Sequence, residues 1–260
     1  MQLCPSGEDE LDPRIHSFYC AALRVLQQAQ VPFLVGGAYA LARHTGIVRH
    51  TKDLDIFTRP TDCERVLRVF SAAGYRTEVT DPRWLAKAHS GEDFIDVIFS
   101  SGNGIAEVDD AWFEHAIEAK IMGLSVQLCP PEETIWSKAF VMERERFDGA
   151  DVAHLLRAYG ERLDWDRLLD RFGAHWRVLF SHLVLFGYIY PGDRGRIPAS
   201  VMDTLLNRLQ AEVHSPSTAG RLCQGTLLSK AQYAIDIDHW DYQDARLLPL
   251  NGGTVREAAS

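Results

Sequence analysis

The segment Asp53-Leu-Asp-Ile-Phe57 constrains the fold more than any other stretch of the chain. Side chains alternate between the two faces of a β-strand, so Leu54 and Ile56 share one face while Asp53 and Asp55 share the other. Such a strand turns its apolar face to a core and projects two carboxylates side by side from the opposite face. Two carboxylates this close repel unless a cation lies between them. Magnesium suits that position, because it is a hard ion held by one or two carboxylates together with substrate phosphates.

Two further strand-like runs carry groups of the same kind. Val31-Pro-Phe-Leu-Val35 reads as a short buried strand that ends at Gly36-Gly37, and Ala38 to Arg43 reads as the start of a helix. Without side chains, the two glycines let phosphate oxygens approach the backbone N–H groups at the start of that helix. Phe94-Ile-Asp-Val-Ile-Phe99 is an apolar strand holding one acid, Asp96. A third carboxylate from a neighbouring strand would complete a two-metal arrangement, in which one metal activates an attacking hydroxyl and the other holds a triphosphate. Each feature alone has a plainer reading: a solvated strand face, a tight turn, an edge-strand acid. Together and in this order they are far more specific.

The remaining chain sets the frame. Asp12-Pro13 opens a helical stretch; Thr61 or Asp62 caps a helix running to Ala73 with Gly74 ending it; Tyr75 to Val79 reads as a strand, and Ala116 to Leu128 as a hairpin turning near Gly123. Pro130-Pro-Glu-Glu marks a helix start and the expected domain boundary, with helices over 131–146, 148–159, 164–172, 174–188 and 198–212. Periodicity weakens after 213, and Asn251-Gly-Gly onward is expected to fray. Five scattered cysteines with no Cys-x-x-Cys pair point to neither a disulfide framework nor a zinc site. No run approaches the roughly 20 apolar residues of a membrane helix, and the acidic N-terminus lacks a signal-peptide h-region, so a cytoplasmic location is expected. The formal net charge of −9 argues against a duplex-DNA surface, though not against a locally basic cleft. Asp236-Ile-Asp-His-Trp-Asp241 is a second acidic cluster, read as a solvated loop; His44 and His50 lie near the first one without metal-ligand spacing.

Gly36-Gly37, fifteen intervening residues and then Asp53-Leu54-Asp55 resemble the signature of the polymerase-beta-like nucleotidyltransferase superfamily. Gly46-Ile-Val-Arg-His-Thr-Lys-Asp-Leu-Asp-Ile56 is similar to its minimal branches, the aminoglycoside and lincosamide nucleotidyltransferases and the abortive-infection-type toxins. The resemblance implies that Asp53 and Asp55 bind magnesium and that a later strand supplies the third acid. Asp96 is the best match, with Asp93, of opposite strand parity, as the fallback. Ala38 stands where many relatives carry Ser, which leaves phosphate binding there to backbone amides. Arg49, Thr51 and Lys52 could add donors and positive charge beside the triphosphate. Ile135-Trp-Ser-Lys-Ala139 and Glu143 to Val152 are similar to downstream segments of the toxin-like branch, which implies that Lys138 reaches the triphosphate.

The expectation is therefore an α/β (α+β) chain. A nucleotidyltransferase-type mixed sheet flanked by helices occupies 1–129, and a helical C-terminal domain occupies 130–260. The expected reaction is magnesium-dependent transfer of a nucleoside monophosphate from an NTP to an acceptor hydroxyl. The acceptor stays open among a small molecule such as an antibiotic, a protein and an RNA end such as a tRNA tip. The rival is a degenerate nucleotidyltransferase fold that binds nucleotide or a protein partner without turnover.

Overall fold

Asp12 starts the first helix by accepting a hydrogen bond from Arg14 N at 2.8 Å, with Pro13 in the first turn where its missing N–H costs nothing. The computed structural model describes residues 12–49, 51, 53–216 and 220–248. Two units divide the chain, Met1–Thr134 and Ile135–Ser260.

In the first unit, the helix α1 (Pro13–Gln28) precedes β1 (Leu34–Val35), α2 (Gly37–Thr45), β2 (Leu54–Phe57) and α3 (Pro60–Ala72). The antiparallel run β3 (Arg76–Asp81), β4 (Leu85–Ser90) and β5 (Asp93–Ile98) follows, then α4 (Asp110–Glu114), β6 (Ile117–Ile121) and β7 (Leu124–Leu128). All seven strands form one mixed sheet in the order β3-β4-β5-β2-β1-β7-β6. β2 runs parallel to β5 and β1 parallel to β7; the other pairs are antiparallel.

Register decides what each face carries. Leu54, Ile56, Ala86, Ala88, Ile95 and Val97 are fully buried on one face, packed with Leu23 and Leu26 of α1 and Val66 and Phe70 of α3. Burying a Leu or Ile side chain contributes about 1.5–3 kcal/mol, and a one-residue slip of β2 would exchange Leu54 and Ile56 for its acids. The opposite face therefore carries a transverse row of charge, Glu78↔Lys87↔Asp96↔Asp55, one residue from each of four adjacent strands.

Several expectations shift. β1 is confined to Leu34–Val35, because Pro32 has no N–H to offer a ladder. α3 begins at Pro60 with Arg59 as its cap, ahead of Thr61 and Asp62. β4 and α4 were not expected: β4 alternates around two alanines, whose small apolar signal is weak, and α4 is only five residues long.

In the second unit, α5 (Pro131–Ala139), whose first turn lies before the division, is followed by α6 (Gly149–Tyr159), α7 (Trp165–Phe172), α8 (Trp176–Ile189) and α9 (Ala199–Val213). The helix expected over 131–146 ends at Ala139. The chain then doubles back, with Glu143 N donating to Arg146 O at 2.8 Å and Asp148 N to Val141 O at 3.1 Å. That reversal returns Asp148 to the Lys138 ammonium, a pairing a continuous helix would prevent. Leu155, Leu156, Leu168, Phe172, Leu179 and Phe186 are buried in this unit. A parallel pair, β8 (Leu222–Cys223) with β9 (Gln243–Asp244), flanks α10 (Ala234–Asp238). Among the described residues, no helix is long and apolar enough to cross a membrane. The expected fraying from 251 onward lies outside the described residues.

Candidate active site

The glycine pair packs directly against β2. Gly36 N donates to Asp55 O at 3.0 Å, and a Cβ at Gly36 would stand 2.2 Å from the Phe57 ring. Gly37 has φ +54°, and a Cβ there would lie 1.7 Å from Asp55 Oδ2. Besides baring backbone amides, Gly37 thus leaves the space that the Asp55 carboxylate fills. Gly37 is also the first residue of α2, at the helix's positive end, where negative charge is favoured.

Asp55 and Asp96 are direct neighbours across the parallel β2–β5 pair, and Asp53 lies two residues before Asp55, immediately ahead of the strand. Each of the three offers a carboxylate oxygen, all within 4.8 Å of one another, and all three are partly buried. Two oxygens on one octahedral magnesium, each about 2.1 Å from the ion, stand roughly 3–4.2 Å apart. The spacing and the all-oxygen donor set therefore fit a hard divalent cation. Among the described residues this is the one cluster with that capacity. The Asp236–Asp241 stretch forms none, and Asp93, opposite Ser90 at the start of β5, is outside it.

Neighbouring groups orient the acids. Thr51 Oγ1 donates to Asp53 Oδ1 at 2.6 Å. Lys87 Nζ lies 2.8 Å from Asp96 Oδ1 and 3.8 Å from the centroid of the Phe94 ring. Burial raises the Asp96 carboxyl above the ordinary carboxylate range, even against the Lys87 ammonium, and Asp53 adds to the rise. The Tyr19 phenol of α1 is raised too, by its burial and then by Asp53, Asp93, Asp55 and Asp96, which marks the negative field on the sheet's other side.

Of the other expected residues, Ala38 is half-buried in the first turn of α2 and Arg49 is exposed, while Lys52 and His50 lie outside the described residues. His44 is buried and its Nε2 donates to Cys129 O at 2.9 Å, a structural bond. Lys138 in the second unit lies 2.9 Å from Asp148 Oδ2 and 2.8 Å from Asp151 Oδ2. Lys87 escaped the sequence reading altogether. Its position opposite Asp96 depends on the register of β4, and a lone Lys in Leu-Ala-Lys-Ala-His-Ser carries no motif.

Distant likenesses exist among solved structures. The antibiotic-resistance factor ANT(2'')-Ia is 15% identical, with 78% of this chain and 99% of that one covered at a TM-score of 0.44. The lincosamide antibiotic adenylyltransferase LnuA is 14% identical, covering 57% and 99% at 0.40. JHP933 from Helicobacter pylori is 15% identical, covering 87% and 98% at 0.38. No curated protein matches the sequence. The model of a family described as "Uncharacterised nucleotidyltransferase" matches residues 21–184, well over half of the chain and all of β2 and β5. On that span the chain belongs to this nucleotidyltransferase family and is an enzyme of that class.

Proposed function

We propose that the protein transfers a nucleoside monophosphate from an NTP to an acceptor hydroxyl, using magnesium held by Asp53, Asp55 and Asp96. The observation that carries this reading is the convergence of three carboxylates within 4.8 Å beside a glycine turn shaped to one of them. Bound magnesium lowers the pKa of a coordinated hydroxyl and neutralises charge on the triphosphate.

The chain's own groups do the rest. The backbone N–H groups of Gly37 and Ala38 open α2 and donate to phosphate oxygens at the positive end of the helix, while Gly36, whose own N–H is held by Asp55 O, lets the phosphate approach. Arg49 and Lys52 add positive charge on the segment leading to the acids. Thr51 holds Asp53 through its hydroxyl. Asp96 ligates the catalytic metal or accepts the proton of the attacking hydroxyl. The acceptor oxygen bonds to the α-phosphorus as the bond to the bridging oxygen breaks, and pyrophosphate leaves. The net charge of −9 favours a small molecule, a protein or a tRNA end over long duplex nucleic acid. All of these contacts are drawn from the first unit.

Incubation with each α-labelled NTP, magnesium and a cell extract tests the reading. Label should move to an acceptor with release of pyrophosphate, and Asp55→Ala should lower transfer by at least about 10²-fold. The reading falls if the wild type moves no label and Asp53→Asn binds magnesium-nucleotide unchanged.

A further inference from the structure

Three carboxylates crowded on one sheet face need a counter-charge before any divalent ion arrives. The row across the strands supplies one. Lys87 stands between Glu78 and Asp96 in register, and its ammonium could reach toward either. It turns to Asp96, at 2.8 Å, while Glu78 lies 3.2 Å from both Arg76 Nη1 and His89 Nε2. The Phe94 ring, on the same face two residues before Asp96, lies 3.8 Å from the ammonium and favours a cation there. Only a fifth of the Lys87 side chain is exposed, and less of Asp96, so water screens the pair weakly.

We propose that Lys87 is the resident counter-cation of the acid cluster: it holds Asp96 in place when no divalent ion is bound, and competes with that ion for the carboxylate. This rests on the metal-binding reading above. The consequence runs opposite to that of an ordinary supporting residue. Removing the ammonium leaves the cluster one unit more negative and frees an oxygen of Asp96, so a divalent cation should bind more tightly. Even with water-like screening, a unit charge about 6 Å from a divalent ion changes its affinity by about tenfold, and the weaker screening here makes that a lower bound. Asp96 meanwhile loses the partner that fixes its orientation, so turnover should fall. Lys87 is thus a positioning residue acting through Asp96.

The test measures manganese affinity of the full chain by calorimetry, for wild type, Lys87→Met and Lys87→Arg, with melting curves in chelator and in magnesium. Lys87→Met should bind manganese at least about tenfold more tightly, transfer label more slowly at saturating metal, and gain more from magnesium in the melt than wild type. Lys87→Arg, which keeps the charge, should stay near wild type in affinity. Should Lys87→Met not fold, Lys87→Gln carries the same comparison. Equal or weaker manganese binding by the uncharged variant, with wild type binding normally, overturns the proposal and leaves the metal site standing. Absence of binding in the wild type itself overturns both.

Discussion

Substituting alanine at Gly37 and at Gly46 separates the two things a glycine can do in this site. Both residues have positive φ, +54° and +74°, at opposite ends of α2. Alanine in that region costs about 1–2 kcal/mol, so both variants should lose comparable stability. Their surroundings differ. A Cβ at Gly46 meets nothing within 4 Å, whereas at Gly37 it would lie 1.7 Å from Asp55 Oδ2 and 2.6 Å from Asp55 Cγ. The carboxylate would have to retreat by roughly 1.5 Å to reach van der Waals distance. A displacement of about 1 Å at a reacting centre can cost about 10²-fold in rate. Gly37→Ala should therefore lose at least about 10²-fold in nucleotidyl transfer, and Gly46→Ala should remain within about threefold of wild type. Urea titration gives the stabilities, and labelled-nucleotide transfer the rates. If Gly37→Ala turns over as fast as Gly46→Ala, the glycine does not set the position of Asp55 and the geometric reasoning fails.

Two more outcomes follow from buried charge elsewhere. Lys138→Met should destabilise the second unit by about 3 kcal/mol, since it removes the ammonium shared by Asp148 and Asp151, both about nine-tenths buried; Arg146→Ala, at an arginine 64% exposed, should cost under about 1 kcal/mol in the same denaturation assay. His44 and His182 are buried as neutral rings donating to Cys129 O and Ala139 O, each at 2.9 Å, and burial lowers both pKa values below the ordinary 6.5. The unfolded chain then binds protons that the folded one refuses. Their contribution is thus complete above about pH 6.5 and declines as pH falls from there toward the folded values; a denaturation midpoint that does not move between pH 7.5 and 5.5 would refute it.

Much of the fold was legible because it rests on local rules. Period-two alternation marked β2, and Pro and Gly bracketed α3 despite a shift of one or two residues at its start. Gly123, at φ +75°, turned the β6–β7 hairpin. The helix expected over 131–146 was misjudged because nothing local announces that Asp148 returns to Lys138; that pairing is a tertiary event. β4 was missed because Ala86 and Ala88 bury little apolar surface, yet both are fully buried in the core that α1 and α3 share with the sheet.

The linear chain by itself determined that Asp53 and Asp55 face the same way and that a strand ends in two glycines, since side-chain parity and backbone freedom are properties of a few consecutive residues. Tertiary structure alone decided that Asp96 stands beside Asp55, that Lys87 stands beside Asp96, and that Gly37 is the floor under the Asp55 carboxylate. Those adjacencies come from strand order and register. Burial of the apolar face across three strands constrains the register, because a one-residue slip of any of them would turn its share of Leu54, Ile56, Ala86, Ala88, Ile95 and Val97 out of the core.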